Sequence, residues 1–252
     1  MNRIDRLFNE KKENIKSIYY PAGFPNLNDT MPILRELQNG GVDMVELGIP
    51  FSDPMADGVV IQAAATKALA NGISLKLLFE QIQDMRSEIK IPVILMGYLN
   101  PIMHYGFEEF CKDCIRVGVD GVIIPDLPFK DYMQNYKQIA EEYGLKMIMF
   151  ITPQTSEERI RLIDKHSSGF IYMVSVAGTT GAKDAFDEEQ LQYFNRINTM
   201  NLRHPRLIGF GISNQSTFQA ACQHSQGAII GSHFVKLLDS CESITESVAR
   251  IL

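Results

Sequence analysis

Two carboxylates, Glu46 and Asp57, lie eleven residues apart where the sequence changes from a strand pattern to a loop pattern. Glu46 interrupts the apolar run 44–48, and Asp57 stands near the end of the Pro-, Ser- and Asp-containing stretch 50–58. An ionised glutamate is rarely buried unless it is paired or performs chemistry. The stretch that follows has the composition of a shaped loop. A carboxyl group at the mouth of a sheet, with a second one on a neighbouring loop, is suited to general acid–base catalysis.

Each carboxylate also has a purely structural explanation. Glu46 could be satisfied by a neighbouring hydroxyl such as that of Tyr172, and the same hydrogen bond would orient a catalytic acid. Asp57 precedes Gly58 in a common turn pair, and taken alone this turn explanation is favoured. Asp53 and Asp126 are predicted to be turn or cap residues.

The composition limits the classes of function. The chain has 252 residues, of which 45% are hydrophobic and 21% charged, and its net charge is −6. Nucleic acid is an improbable partner because no basic cluster is present to neutralise phosphates. The N-terminus has no apolar signal core, and the apolar run 91–96 is too short to cross a bilayer. These features predict a soluble cytoplasmic protein.

The cysteine and histidine spacings predict no metal site. Cys111 and Cys114 have the C-x-x-C spacing, but a zinc site needs a second pair, which the sequence does not supply. Both fall in a predicted amphipathic helix over 107–117 and are interpreted as ordinary helical thiols.

Short β-rich runs alternate with longer helical patterns along the whole chain. The runs, spaced about thirty residues apart as in β-loop-α units, are 15–20, 44–48, 92–98, 121–125, 146–151, 170–175, 207–211 and 228–231. The predicted helices are 29–39, 61–70, 74–89, 107–117, 129–143, 156–166, 188–200, 215–224 and 243–251. Eight such units predict an α/β fold, a closed (β/α)8 barrel with extra helices that forms one domain over residues 1–252. A doubly wound open sheet is the alternative.

Glycines cluster at the ends of three successive predicted strands, at 178–181, at 209–211 and at Gly231. In such a barrel, function lies at the carboxyl ends of the strands, and a phosphate commonly binds after the last two strands at a helix N-terminus. Residues 232–236 could begin that helix. Each glycine alone could simply form a tight turn, but together, in strand order, they favour a phosphate seat.

Several segments, in order, resemble one enzyme family. Residues 46–58 read ELGIPFSDPMADG, which resembles the signature of the tryptophan synthase alpha subunit family. The resemblance continues through 96–102 (MGYLNPI), 120–128 (DGVIIPDLP), 178–181 (GTTG), 209–213 (GFGIS) and 230–232 (IGS). Pro21 and Ala177 depart from the pattern, which often has Thr at the first position and Ser or Thr at the second.

The resemblance implies a TIM barrel that cleaves indole-3-glycerol phosphate to indole and glyceraldehyde 3-phosphate by a retro-aldol reaction, in the last steps of L-tryptophan biosynthesis. It implies a carbon–carbon lyase with no cofactor in this chain. It also implies a partner, a beta subunit that carries pyridoxal phosphate, in an αββα heterotetramer.

The resemblance also assigns roles to residues. Glu46 would be the acid–base group that protonates indole C3, Asp57 would bind the indole N–H, and Thr180 would contact Asp57 when its loop closes. Tyr172 would help to position Glu46, whose pKa we expect to be raised by its surroundings. The remaining roles are the walls of the indole pocket, from Tyr19, Met96 and Tyr98, and the phosphate seat, from Gly181, Gly211, Gly231 and Ser232.

Three alternatives to this assignment remain open at the level of sequence. The chain could be a free-standing indole-3-glycerol-phosphate lyase that needs no partner. It could be another phosphate-binding barrel enzyme, such as a sugar-phosphate isomerase or epimerase, which would share the glycines but not the Glu46 and Asp57 signature. It could also be a barrel that mainly activates the beta subunit.

Overall fold

The computed structural model of the chain describes residues 1–175 and 186–252. Within them, eight parallel strands close into a barrel in which each strand pairs with the next and β8 pairs with β1. The strands are β1 (Ile15–Pro21), β2 (Met44–Gly48), β3 (Val93–Met96), β4 (Gly121–Ile123), β5 (Lys146–Ile151), β6 (Ile171–Val174), β7 (Arg206–Gly209) and β8 (Gly227–Ile230). The predicted barrel is confirmed, and the closed ring rules out the open sheet. A single domain over the whole chain stays a prediction.

Helices precede, separate and follow the strands. They are α1 (Arg3–Glu10), α2 (Thr30–Asn39), α3 (Val59–Ala70), α4 (Leu75–Gln81), α5 (Leu99–Tyr105), α6 (Phe107–Val117), α7 (Phe129–Asp131), α8 (Lys137–Glu142), α9 (Glu157–His166), α10 (Glu188–Thr199), α11 (Gln215–Cys222), α12 (Ser232–Ser240) and α13 (Ile244–Ile251). A π-helical turn over Tyr132–Tyr136 joins α7 to α8, so the helix predicted over 129–143 is present with a local irregularity.

The sequence prediction is wrong for three helical segments. The helix expected over 74–89 ends at Gln81, and a short 3-10 turn over Met85–Ser87 follows it. Helices α1 and α5 were not predicted. Pro101 lies in the first turn of α5, where proline is tolerated, and the Asp126 carboxylate accepts a hydrogen bond from Leu99 N at 2.8 Å. That bond starts α5 from a distant loop, and it confirms the prediction that Asp126 is a cap residue.

Helix α1 closes the N-terminal end of the barrel. Its two buried residues, Ile4 and Phe8, are one turn apart and therefore point the same way. The Phe8 ring lies 5.8 Å from the ring of Phe170, inside the barrel. This end of the interior is filled with apolar side chains, so the opening of the barrel lies at the carboxyl ends of the strands.

The buried carboxylate of Asp120 links several elements at the closed end. It forms ion pairs with Arg86 at 2.6 Å and Arg3 at 3.1 Å, and accepts a hydrogen bond from Val93 N at 2.9 Å. The carboxylate is therefore well compensated, and removing it would leave Arg86 without its buried counter-charge and the Val93 N–H without an acceptor.

Asp120→Ala is expected to lower the free energy of unfolding by about 3 kcal/mol, because two buried donors lose their acceptor. Urea denaturation followed by circular dichroism measures the loss. Asp239→Ala is the control, since its ion pair with Lys67 is about half exposed on both sides. Exposed pairs contribute at most about 1 kcal/mol. Equal losses in the two variants would contradict the role of Asp120.

Candidate active site

Glu46 lies in the middle of β2 with its side chain fully buried inside the barrel. The Ser17 hydroxyl, from β1, donates a hydrogen bond to Glu46 Oε1 at 3.2 Å, while Oε2 has no hydrogen-bond partner among the described residues. Burial raises the pKa of this carboxyl to about 8, and the Ser17 hydrogen bond opposes the rise only in part. Glu46 is therefore a neutral acid near neutral pH, which agrees with the raised pKa expected from the sequence.

Two tyrosines stand beside Glu46, and glycines make room for both. Tyr19 is opposite Glu46 in the β1–β2 register, and a Cβ atom at Gly48 would clash with its ring. Tyr172, from β6, occupies the space that a Cβ atom at Gly209 would need. The hydrogen bond that the sequence suggested from the Tyr172 hydroxyl to Glu46 is not formed. The Ser17 hydroxyl donates to Glu46 in its place. Burial and the Glu46 and Asp57 charges raise the Tyr172 pKa well above its usual value, so this ring stays neutral.

Asp57 is held at the pocket by Tyr98, the N-cap residue of α5, which follows β3. The Tyr98 hydroxyl donates to Asp57 Oδ2 at 2.9 Å and accepts from the Ala56 N–H at 3.0 Å, so one side chain fixes both residues. Burial raises the pKa of Asp57, and the Tyr98 hydrogen bond lowers it by a smaller amount. The loop therefore places Asp57 over the barrel mouth through a contact with the barrel itself.

One cavity at the carboxyl ends of the strands brings most of the predicted residues together. Its walls include Tyr19, Glu46, Asp57, Met96, Tyr172, Gly211, Gly231 and Ser232. Tyr98 lines a small neighbouring recess that also reaches Asp57, Tyr19 and Met96. Thr180 and Gly181 lie outside the described residues.

The far end of the cavity has the features of an anion site. Helix α12 begins at Ser232 directly after β8, and its N-cap, Gly231, has no side chain to occupy the free N–H groups. Phe210 and Gly211, after β7, both have positive φ angles of 70° and 73°. This backbone is unusual for a phenylalanine, and the Ser175 hydroxyl supports it by donating to Phe210 O at 2.7 Å. The seat expected from the glycine pattern thus has its backbone groups on one side of the cavity.

Four polar residues of the site were not predicted from the sequence. Ser17 has no local signal, because its contact depends on the register between β1 and β2. Ser213, His233 and Lys236 also line the cavity. The last two follow Ser232 by one and four residues, so helical periodicity from the predicted seat could have identified them. The pKa of His233 is lowered by burial and by the Lys236 charge.

The cysteines lie away from this cavity. Cys111 and Cys114 are free thiols buried in α6, as interpreted from the sequence, and burial raises the Cys111 pKa to about 12. Across residues 1–175 and 186–252, no group of three His, Cys, Asp or Glu side chains could hold a metal ion. In the same part of the chain, no helix is long and apolar enough to cross a membrane.

The fold and the cavity define a (β/α)8-barrel enzyme with two carboxylates at the mouth of the barrel. The family model for the tryptophan synthase alpha chain matches residues 6–252. A tryptophan synthase alpha chain from Parabacteroides distasonis is 64% identical over 252 residues, which cover 100% of this chain and 98% of that protein. One from Flavobacterium psychrophilum is 54% identical and covers 100% of both chains.

Solved structures agree with the sequence relatives. A tryptophan synthase alpha chain from Legionella pneumophila superposes with a TM-score of 0.88 at 32% identity, over 99% of this chain and 94% of that one. A tryptophan synthase complex from Pyrococcus furiosus gives 0.85 at 30% identity, over 94% and 95%. The chain belongs to the tryptophan synthase alpha chain family. It is therefore a lyase of tryptophan biosynthesis, and its reaction is the cleavage of indole-3-glycerol phosphate to indole and glyceraldehyde 3-phosphate.

Glu46→Gln should change how stability depends on pH. In the folded protein Glu46 keeps its proton up to pH about 8. In the unfolded chain Glu46 has the ordinary pKa of 4.5 and releases the proton above that pH. The stability that this proton provides is complete below pH about 4.5 and is lost as the pH rises to about 8. The variant has no such loss, so its stability relative to the original chain should rise across this window by up to about 1.4 kcal/mol per pH unit.

Urea denaturation of both proteins at several pH values between about 4.5 and 8 measures this difference. A difference that stays constant across the window would contradict the raised Glu46 pKa.

Proposed function

We propose that Glu46 and Asp57 divide the work of the alpha reaction between the carbon and the nitrogen of the indole ring. Indole leaves readily from a carbon–carbon bond only when its C3 atom is protonated. Protonated Glu46 would give its proton to C3, and the resulting carboxylate would take the proton of the hydroxyl on the carbon being released. The electrons of the broken bond then return to the ring, and the new carbonyl belongs to glyceraldehyde 3-phosphate.

One observation carries this proposal: Glu46, buried and neutral, lines the same cavity as Asp57, and its Oε2 has no hydrogen-bond partner among the described residues. A general acid works best when its pKa lies near the working pH, and burial brings the pKa of Glu46 to about 8. Glu46 is thus protonated before the reaction. After it has given up this proton, its carboxylate is basic enough to accept the proton of the substrate hydroxyl.

Asp57 is assigned to the indole nitrogen. Protonation of C3 places positive charge on the ring N–H, and a carboxylate that accepts this hydrogen bond stabilises the charge where it develops. The Tyr98 hydrogen bond supports this role because it favours the ionised form of Asp57 and fixes its direction. Tyr19 and Met96 would form walls of the indole pocket, and Tyr172 would keep the ring beside Glu46.

The phosphate is assigned to the opposite end of the cavity. Backbone N–H groups at Gly211, Gly231 and Ser232 would bind its oxygens, helped by the dipole of α12. Lys236 would add a full positive charge from the next turn of the same helix. Gly181 and Thr180 keep the roles that the resemblance gave them, as part of the same proposal.

A beta subunit that carries pyridoxal phosphate is the proposed partner, in an αββα heterotetramer. Met55 and Val59, on either side of Asp57, are 83% and 79% exposed. Exposed apolar side chains at this position support the proposal that another protein covers the loop. No lysine of this chain is assigned to a cofactor. The cytoplasmic location predicted from the sequence belongs to the same proposal.

Glu46→Gln and Asp57→Asn should each abolish most turnover while the fold survives. We expect kcat to fall about 10²–10⁴-fold without the acid and about 10²-fold without the loop charge. Indole released from indole-3-glycerol phosphate is measured with and without a beta subunit, and circular dichroism checks the fold.

Asp53→Asn is the matched control for the loop, because its exposed side chain lies outside the cavity. It should keep its turnover in the absence of a beta subunit. Near-normal turnover in the Glu46 or Asp57 variant would refute the corresponding role. Activity of the original chain that a beta subunit leaves unchanged would favour a free-standing lyase.

Lys236→Met tests the phosphate seat. Loss of one charge-assisted hydrogen bond should raise the KM for indole-3-glycerol phosphate about tenfold and leave kcat nearly unchanged. Lys76→Met, which removes an exposed lysine of α4 outside the cavity, is the control. An unchanged KM in both variants would show that Lys236 does not bind the phosphate.

A further inference from the structure

We propose that Ser17 is a positioning residue that decides which oxygen of Glu46 carries the catalytic proton. The inference rests on the proposed function of Glu46 and adds a residue that the reaction scheme does not contain. Ser17 would act through Glu46 and would not touch the substrate.

The contact joins two neighbouring strands inside the barrel. Ser17 is fully buried in β1, pairs with Met44 in the β1–β2 register, and lies two residues before Tyr19, the register partner of Glu46. Ser17 and Tyr19 therefore point to the same side of β1. The Ser17 hydroxyl reaches Glu46 Oε1 at 3.2 Å. Both side chains belong to strands of a closed barrel, so neither backbone can move away from the other without breaking the ladder.

The hydrogen bond makes the two carboxyl oxygens unequal. Oε1 accepts the Ser17 proton, whereas Oε2 has no partner among the described residues. A carboxylic acid keeps its stronger acceptor on the oxygen that carries no proton, so donation to Oε1 favours the acid with its proton on Oε2. The preference is about tenfold, the equilibrium ratio that one ordinary hydrogen bond provides. The proton is thereby presented on the oxygen that is free to deliver it.

Other groups around the cavity do not replace this contact. Tyr19 and Tyr172 stand beside Glu46, Asp57 faces it from the loop, and His233 and Lys236 lie at the phosphate end. Among the described residues, Ser17 is the one hydrogen-bond donor to the Glu46 side chain. Without it, Glu46 would have two equivalent oxygens and only burial to set its pKa.

The hydrogen bond also opposes the effect of burial on the pKa of Glu46. A donor to a carboxyl group stabilises its ionised form, so removing the donor should raise the Glu46 pKa further. The alkaline limb of the kcat profile, where the acid loses its proton, should then move to higher pH. A substitution that only loosens the packing would not move this limb in that direction.

Ser17→Thr and Ser17→Val form a matched pair for the test. Both add bulk at a buried strand position and both are β-branched, but only threonine keeps the hydroxyl. We expect Ser17→Val to lower kcat about tenfold relative to Ser17→Thr with a similar KM, and to shift the alkaline limb of kcat to higher pH. The C=O stretching band of the protonated Glu46 carboxyl, identified by its loss in Glu46→Gln, should rise in frequency in the valine variant only.

Ser17→Ala provides the same comparison with the original chain if the larger side chains disturb the fold. Equal kcat, equal pH profiles and equal carboxyl bands in the variants with and without the hydroxyl would overturn the inference. Failure of the proposed function gives a different result, namely turnover that survives Glu46→Gln or is absent from the original chain. Loss of turnover in Glu46→Gln together with no effect at Ser17 would overturn the positioning role alone.

Discussion

The chemistry of the site depends on the burial of one carboxyl group, that of Glu46, inside a closed parallel barrel. An ionised carboxylate at this position would lose its hydration and gain a single hydrogen bond from Ser17 in return. The group therefore remains protonated up to a pH of about 8. Its neighbours, Tyr19 and Tyr172, are also kept neutral by burial. The same absence of water that makes Glu46 costly as an ion makes it effective as an acid.

The buried carboxyl groups at the two ends of the barrel, Asp120 and Glu46, differ in how many hydrogen-bond partners they have. At the closed end, Asp120 is surrounded by donors, and the apolar side chains of α1 fill the interior. At the open end, Glu46 Oε2 and the first N–H groups of α12 have no side-chain partner among the described residues. The Asp120 contacts tie elements of the barrel together, whereas Glu46 Oε2 and the first N–H groups of α12 lie where a substrate can complete them.

Much of the fold could be predicted because parallel strands and their helices have clear sequence patterns. Glu46 could be identified because a charged residue is unusual within an apolar strand. The glycines after β7 and β8 could be identified because they recur at the ends of successive predicted strands. Ser17 could not be predicted in the same way, because a serine in a strand is ordinary and its partner is set by strand register. Helices α1 and α5 were missed because α1 is short and polar, while α5 is capped by Asp126 from another loop. The contacts of Ser17 with Glu46 and of Asp126 with Leu99 are tertiary, and local sequence does not encode them.

The two carboxylates of the site differ in how firmly the fold holds them. Glu46 is fixed by β2, which pairs with β1 and β3 in the closed ring, so its position is a property of the barrel itself. Asp57 belongs to a loop whose link to the barrel is the Tyr98 hydroxyl, and exposed apolar residues flank it. A protein that covers Met55 and Val59 would therefore act on Asp57 through one or two residues of chain, whereas Glu46 offers no comparable route. In the proposed reaction, a partner would thus adjust the stabilisation of charge at the indole nitrogen and leave the position of the Glu46 acid unchanged.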